Sequence, residues 1–254
     1  MDEYVKIRDV IELFRYCRLP YFEQCNVEHY LRFKERNELF DWEQIITFVN
    51  IGLHNEFYTN IRKVYDPGSL TALVNKYNQL PGDYIPGDLE EITQRYSSKC
   101  LLLRRDARKA YEEMSREAEE DGILLDAIST FRSYPYQKQV YFKNLTPDIS
   151  LEEYQKIRDK VSARPGHSEH QTGYAVDIND LEQTFEDTPE SRWLMNNAYR
   201  YGFILRYPKG KEHITGYDYE PWHYRYVGIN ISKDLHCSDL TYDEYYVRFI
   251  KPYK

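Results

Sequence analysis

Apolar residues recur at helical spacing in "VIELFRYCRL" and again in "WEQIITFVNIGL", near the start of the chain. Up to residue 66 there is one Gly, Gly52, and one Pro, Pro20, so little interrupts a helical reading. Two to four short helices are predicted there. "FYTNIRKVYDPGSL" follows as a connection, with Asp66-Pro67-Gly68 as a turn. Residues 1–66 are therefore read as a small helical N-terminal module, and residues 67–254 as a second domain.

The pattern changes after residue 67. "LPGDYIPGDL" is extended and turn-rich, with two Pro and two Gly. "RRDARKAYEEMSREAEEDG" predicts a helix whose apolar stripe is Ala107, Ala110, Tyr111, Met114 and Ala118, ended by Gly122. "ILLDAIST" reads as a buried strand, and Pro135 opens a further helix. Ser150 and Glu153 form a capping box for "EEYQKIRDKV". In the strand "YAVDI", Tyr174, Val176 and Ile178 face one side, Ala175 and Asp177 the other. Thr188 caps the helix in "TPESRWLMNNAYRYG", and "FILRY" and "WHYRYVGI" are strands. Helices and strands mix without a strict βαβ rhythm, which predicts an α+β fold: a small antiparallel sheet flanked by helices.

Composition narrows the function classes. Hydrophobic residues make up 41% and aromatics 16%, enough for a sizeable core. The formal charge is -8 with no basic run, which disfavours nucleic acid as a partner. The 26 tyrosines fit half-buried strands or, alternatively, a groove for a polar polymer. No stretch reaches the roughly 20 apolar residues of a membrane helix. "MDEYVKIRDV" lacks the apolar region of a signal peptide. Cys17, Cys25, Cys100 and Cys237 include no Cys-x-x-Cys pair and are read as buried free thiols, with a Cys17–Cys25 bridge as the alternative in an oxidising compartment.

The candidate chemistry centres on "SEHQTGYAVDI", residues 168–178. His170 and Asp177 stand seven apart on a Gly-containing loop and a strand, a separation that can bring both onto one ion. In "EPWHYRYVG", alternation puts His223 and Arg225 on one strand face. Two imidazoles and one carboxylate form a common catalytic zinc set that leaves a position open. Glu220, three residues before His223 and stiffened by Pro221, is placed as a general base. An ordinary polar loop and an aromatic strand are the competing reading of the same residues.

"SEHQTGYAVDI" resembles the Ser-x-His-x-x-Gly-x-Ala-x-Asp signature of the zinc D-Ala-D-Ala carboxypeptidase/dipeptidase group, and "EPWHYRYVG" is similar to its second signature, Glu-x-Trp-His. "VNKYNQLPGDYIPGDL", "TFRSYPYQKQVY" and the run from Trp193 to Gly228 resemble its VanY-like branch, which includes the LdcB-like L,D-carboxypeptidases. The resemblance covers roughly residues 70–250 and leaves the N-terminal module outside it. It departs from the family at "TFRS", where "GYRS" is usual.

The resemblance implies that residues 67–254 are a zinc carboxypeptidase domain in which His170, Asp177 and His223 hold Zn²⁺ and Glu220 is the base. It implies that Arg132 stabilises the oxyanion, that Ser168 binds the substrate's terminal carboxylate, and that Ser133 and Gln137 line the peptide pocket. His167, His213 and His236 have no role in the family pattern. The implied partner is the peptidoglycan stem peptide, from which the C-terminal D-Ala is removed from tetrapeptide (L,D) or pentapeptide (D,D), with the L,D substrate favoured. The expected location is extracellular or at the surface of a Gram-positive bacterium, with membrane association only through an N-terminal signal or anchor absent from this chain. A non-catalytic, metal-containing module that binds cell-wall peptides is the alternative.

Overall fold

The helical spacing of the first 60 residues produces α1 (Asp2–Phe14), α2 (Val27–Arg36) and α3 (Trp42–Ile51), in a computed structural model that describes residues 2–251. Asp41 and Gln44 close a capping box on α3: the Gln44 N–H donates to Asp41 Oδ1 at 2.8 Å, and the Asp41 N–H to Gln44 Oε1 at 3.0 Å. Ile45, Ile46 and Val49 of α3 are buried against Leu13, Tyr21 and Tyr30. Among the described residues, no helix is long and apolar enough to cross a membrane.

The second compact unit, Ile61–Thr241, begins with β1 (Arg62–Lys63) pairing parallel to β2 (Asn78–Gln79). Next, β3 (Leu89–Glu91) pairs antiparallel with β4 (Leu102–Arg104), which runs straight into α4 (Arg105–Glu120). Then follow β5 (Ala127–Ser129), α5 (Tyr134–Phe142), α6 (Leu151–Arg158), β6 (Ala175–Ile178), α7 (Pro189–Asn197), β7 (Phe203–Leu205), α8 (Glu212–Thr215), β8 (His223–Tyr226) and α9 (Ile229–His236). Strands β5, β6, β8 and β7 make an antiparallel sheet in that order, with a bulge between Ala127 and Ser129 where β5 meets β6. The α+β expectation holds, as do the caps at Ser150 and Thr188.

The sheet's two faces do different work. Val176, Ile178, Phe203 and Tyr224 pack on Ala107, Tyr111, Met114 and Ala118 of α4, the stripe expected from spacing. Each large apolar side chain buried there contributes about 1.5–3 kcal/mol. A one-residue slip of β6 would turn Val176 outward and Asp177 into this core, so burial fixes the register. In that register Asp177 stands opposite His223 and Ala175 opposite Arg225.

Gly173 makes the bend from the His170 loop into β6. Its φ is +72°, and an added Cβ would lie 2.9 Å from Arg104 Cγ and 3.0 Å from Leu89 Cδ2. Its carbonyl accepts from the Arg104 N–H at 2.9 Å, so the backbone has little room to move. Gly173→Ala is expected to cost at least about 1–2 kcal/mol from the left-handed backbone alone. Urea unfolding measures this, and an unchanged midpoint would contradict it.

Two expectations are corrected. The boundary near residue 66 leaves out a C-terminal return: α10 (Tyr242–Tyr245) and a π-type turn over Tyr246–Ile250 belong to the first compact unit with the N-terminal helices, not to the second. Arg248 Nε donates to Thr47 Oγ1 at 2.9 Å, Lys251 pairs with Glu23, and α10 packs on α3. The cysteines are free and exposed rather than buried, because each sits in a surface turn, loop or helix end.

Candidate active site

Direct opposition on neighbouring strands places Asp177 Oδ1 at 3.0 Å from His223 Nδ1. The loop before β6 brings His170 Nε2 to 3.2 Å from the other oxygen, Oδ2. Among the described residues, His170, Asp177 and His223 are the group that could hold a metal ion, with ligand atoms within 4.8 Å of one another, and all three are buried. His167 instead turns Nδ1 to the Asn75 carbonyl at 2.8 Å, and His236 stacks on Tyr199.

The donor set fits a dication. His170 Nδ1–H donates to the Thr130 carbonyl at 2.6 Å, which leaves Nε2 with a lone pair and no hydrogen-bond partner. Burial, with Arg132 beside it, lowers the His170 pKa to about 4 against the pull of Asp177, so the ring is neutral and ready to ligate. Burial pushes the Asp177 pKa up, but the two imidazoles outweigh it and hold the carboxyl well below its usual range. Tetrahedral zinc with bonds of about 2.0–2.1 Å separates its ligand atoms by roughly 3.3 Å. Each imidazole stands near that distance from Asp177, His170 from Oδ2 and His223 from Oδ1.

Glu220 is positioned by a tight turn. The His223 N–H donates to the Glu220 carbonyl at 3.1 Å, and Pro221 lies within that turn. The Glu220 carboxylate thus stands 3.8 Å from His223 Nδ1. Burial raises its pKa to about 7, reinforced by Asp177 and opposed by His223 and Arg132. The Arg132 backbone N–H donates to the His170 carbonyl at 3.2 Å, which ties the two segments together. The buried Nε of Arg132 has no hydrogen-bond partner.

His170, Asp177, His223, Glu220, Arg132 and Ser168 line one cavity of about 400 Å³. Tyr207, Tyr217, Tyr219 and Trp222 also line it, so several tyrosines form a groove wall while others, such as Tyr111 and Tyr224, are core. Ser133 and Gln137 do not line it. The Ser133 hydroxyl caps α5, accepting from the Tyr136 N–H, and buried Gln137 donates to the Ala163 carbonyl at 2.7 Å. Through these bonds both help to hold α5 in place.

Sequence reasoning missed Glu169, Arg206 and Arg225, all fully buried beside His223. Arg206 Nε donates to Glu169 Oε1 at 2.8 Å, and Arg225 Nη1 lies 3.7 Å from the same oxygen. Burial pushes the Glu169 pKa up, but these two guanidinium groups and His223 keep the carboxyl below its ordinary range. The available signal was an arginine inside each apolar strand run, since a buried arginine needs an acidic partner.

A family model described as VanY, D-alanyl-D-alanine carboxypeptidase, matches residues 101–229. The chain is 41% identical over 221 residues to "Putative carboxypeptidase YodJ" of Bacillus subtilis (strain 168), covering 78% of this chain and 77% of that protein. Its fold matches that of the LdcB LD-carboxypeptidase with a TM-score of 0.64 at 40% identity, covering 75% of this chain and 91% of the other. It also matches a mutant of the vancomycin-resistance D,D-pentapeptidase VanY in complex with Zn(II), with a TM-score of 0.60 at 31% identity, covering 71% of this chain and 99% of the other.

Proposed function

The chain belongs to the VanY family of D-alanyl-D-alanine carboxypeptidases, with an LdcB-like neighbour in structure, and from that premise we propose that it is a zinc-dependent enzyme that removes the C-terminal D-Ala from peptidoglycan stem peptides. The observation that carries this reading is the convergence of His170, Asp177, His223, Glu220 and Arg132 on one cavity.

His170, Asp177 and His223 would hold the zinc. When bound, it supplies Lewis-acid polarisation of the scissile carbonyl and of the attacking water. Glu220 takes a proton from that water and returns it to the amine of the departing D-Ala. Its environment favours both transfers, since burial keeps the carboxylate basic while Arg132 and His223 keep it from being protonated outright. Arg132 donates to the carbonyl oxygen as negative charge develops there. Ser168 is assigned to the terminal carboxylate. Arg158, which also lines the cavity with a buried, unpartnered Nε, adds to a lining suited to a carboxylate-bearing peptide.

The 40% identity to LdcB favours the tetrapeptide, an L,D cut, over the pentapeptide. A mass-spectrometric digest of synthetic tetrapeptide and pentapeptide stems decides this. Loss of one D-Ala from the tetrapeptide alone supports the L,D assignment, and loss from the pentapeptide alone reverses it. If the zinc-loaded protein cuts neither, the enzymatic reading fails. Arg132→Ala is expected to lower kcat by about 10²–10³-fold, as for loss of an oxyanion donor. A change confined to KM would move Arg132 to ground-state binding.

Stem peptides lie outside the membrane, so we propose that the enzyme acts outside the cell or at the cell surface, in a Gram-positive bacterium. Cell fractionation tests that location, and a protein found in the cytosol alone would contradict it.

A further inference from the structure

The buried acid beside the metal set has no part in the steps above. Glu169 is 1% exposed, yet Arg206 occupies only one of its carboxylate oxygens. The other, Oε2, has no hydrogen-bond partner and lies 3.5 Å from His223 Nε2, which has none either. The opposite nitrogen of the same ring, Nδ1, faces Asp177.

We propose that Glu169 is a positioning residue: anchored by Arg206, it takes the Nε2–H of His223 on its free oxygen and so presents Nδ1 of that imidazole to the metal. The inference rests on the metal-site reading above. The two imidazoles are then fixed in opposite senses. His170 gives its Nδ1–H to a backbone carbonyl and would ligate through Nε2. His223, with Nε2 3.5 Å from Glu169 Oε2, would give that N–H to the carboxylate and ligate through Nδ1, the nitrogen that stands at hydrogen-bond distance, 3.0 Å, from Asp177 Oδ1. An acid in this position also raises the basicity of the ligand it holds. Arg225 extends the anchor. It lies 3.7 Å from Glu169 and donates to Thr172 Oγ1 at 3.1 Å and to the carbonyls of Leu70 and Ala72 at 3.1 and 3.3 Å. The carboxylate therefore sits on a rigid floor.

Glu169→Gln is an informative substitution because it keeps the shape. Its carbonyl oxygen is drawn to Arg206, which turns the amide NH₂ toward His223 Nε2. That arrangement demands the other tautomer, with the proton on Nδ1, where the metal should bind.

Zinc affinity is measured by competition with a chromophoric chelator, alongside circular dichroism of the metal-free proteins. A folded Glu169→Gln protein is expected to bind zinc about 10–100-fold more weakly than wild type. Equal affinity overturns the proposal. Should the variant not fold, the wild type decides: long-range ¹H–¹⁵N NMR of the zinc-loaded, histidine-labelled protein is expected to show the His223 proton on Nε2, and a proton on Nδ1 overturns it. A wild type that takes up no zinc would sink the metal reading itself, and this inference with it.

Discussion

Replacing Glu220 with Ala is expected to lower kcat for D-Ala release by about 10²–10⁴-fold, the usual contribution of a positioned general base. Zinc uptake should be unaffected, because Glu220 is not one of the three grouped ligand residues. Stem-peptide binding should also survive, since Arg132 and Ser168 remain in the cavity wall. The split between lost turnover and retained binding separates the two function classes. A module that only binds cell-wall peptides would cut nothing in either form and bind equally in both. The comparison calls for single-turnover kinetics beside a binding isotherm for each protein. If the variant turned over stem peptide as fast as wild type, Glu220 would not be the base.

Stripping the metal is expected to abolish release entirely and to lower the unfolding midpoint, both reversed by added zinc. The stability effect follows from mass action: an ion that binds only the folded protein stabilises it by about 2.7 kcal/mol at a free concentration one hundred times its Kd. In the folded state the three buried residues that could hold the ion are already close together. The unfolded chain has no such arrangement, because His223 lies 46 residues from Asp177 in sequence. Dialysis against a chelator, metal analysis, a peptide digest and a thermal melt on the same samples test the claim. Undiminished hydrolysis by protein shown to be metal-free would rule it out.

Much of this centre is legible in the sequence for a simple reason. Side-chain alternation assigns strand faces without knowledge of the partner strand, so Asp177 and His223 fall on polar faces and Val176 and Tyr224 on apolar ones. Glu220 is legible because it shares a short turn with a ligand. Ser133 and Gln137 fall outside the cavity lining because its direction depends on how α5 docks, and nothing local fixes that. Glu169 is hidden for a related reason. Next to His170 it looks like a loop acid, and only the fold brings Arg206 and Arg225 to it. The C-terminal return was unreadable because its partners lie at the other end of the chain.

That return has a consequence for how the protein is made. Residues from Tyr242 onward complete the unit begun by α1, α2 and α3, with all of Ile61–Thr241 translated in between. At about 5–20 residues per second, the interval is on the order of ten seconds or more. During it, the surface of α3 that will receive α10 and Arg248 stays uncovered, open to solvent or to a chaperone. The inserted catalytic unit, which draws its own sheet and core from contiguous sequence, can mature first. A released chain truncated before Tyr242 is thus expected to hold zinc while its N-terminal helices lack full protection from proteolysis.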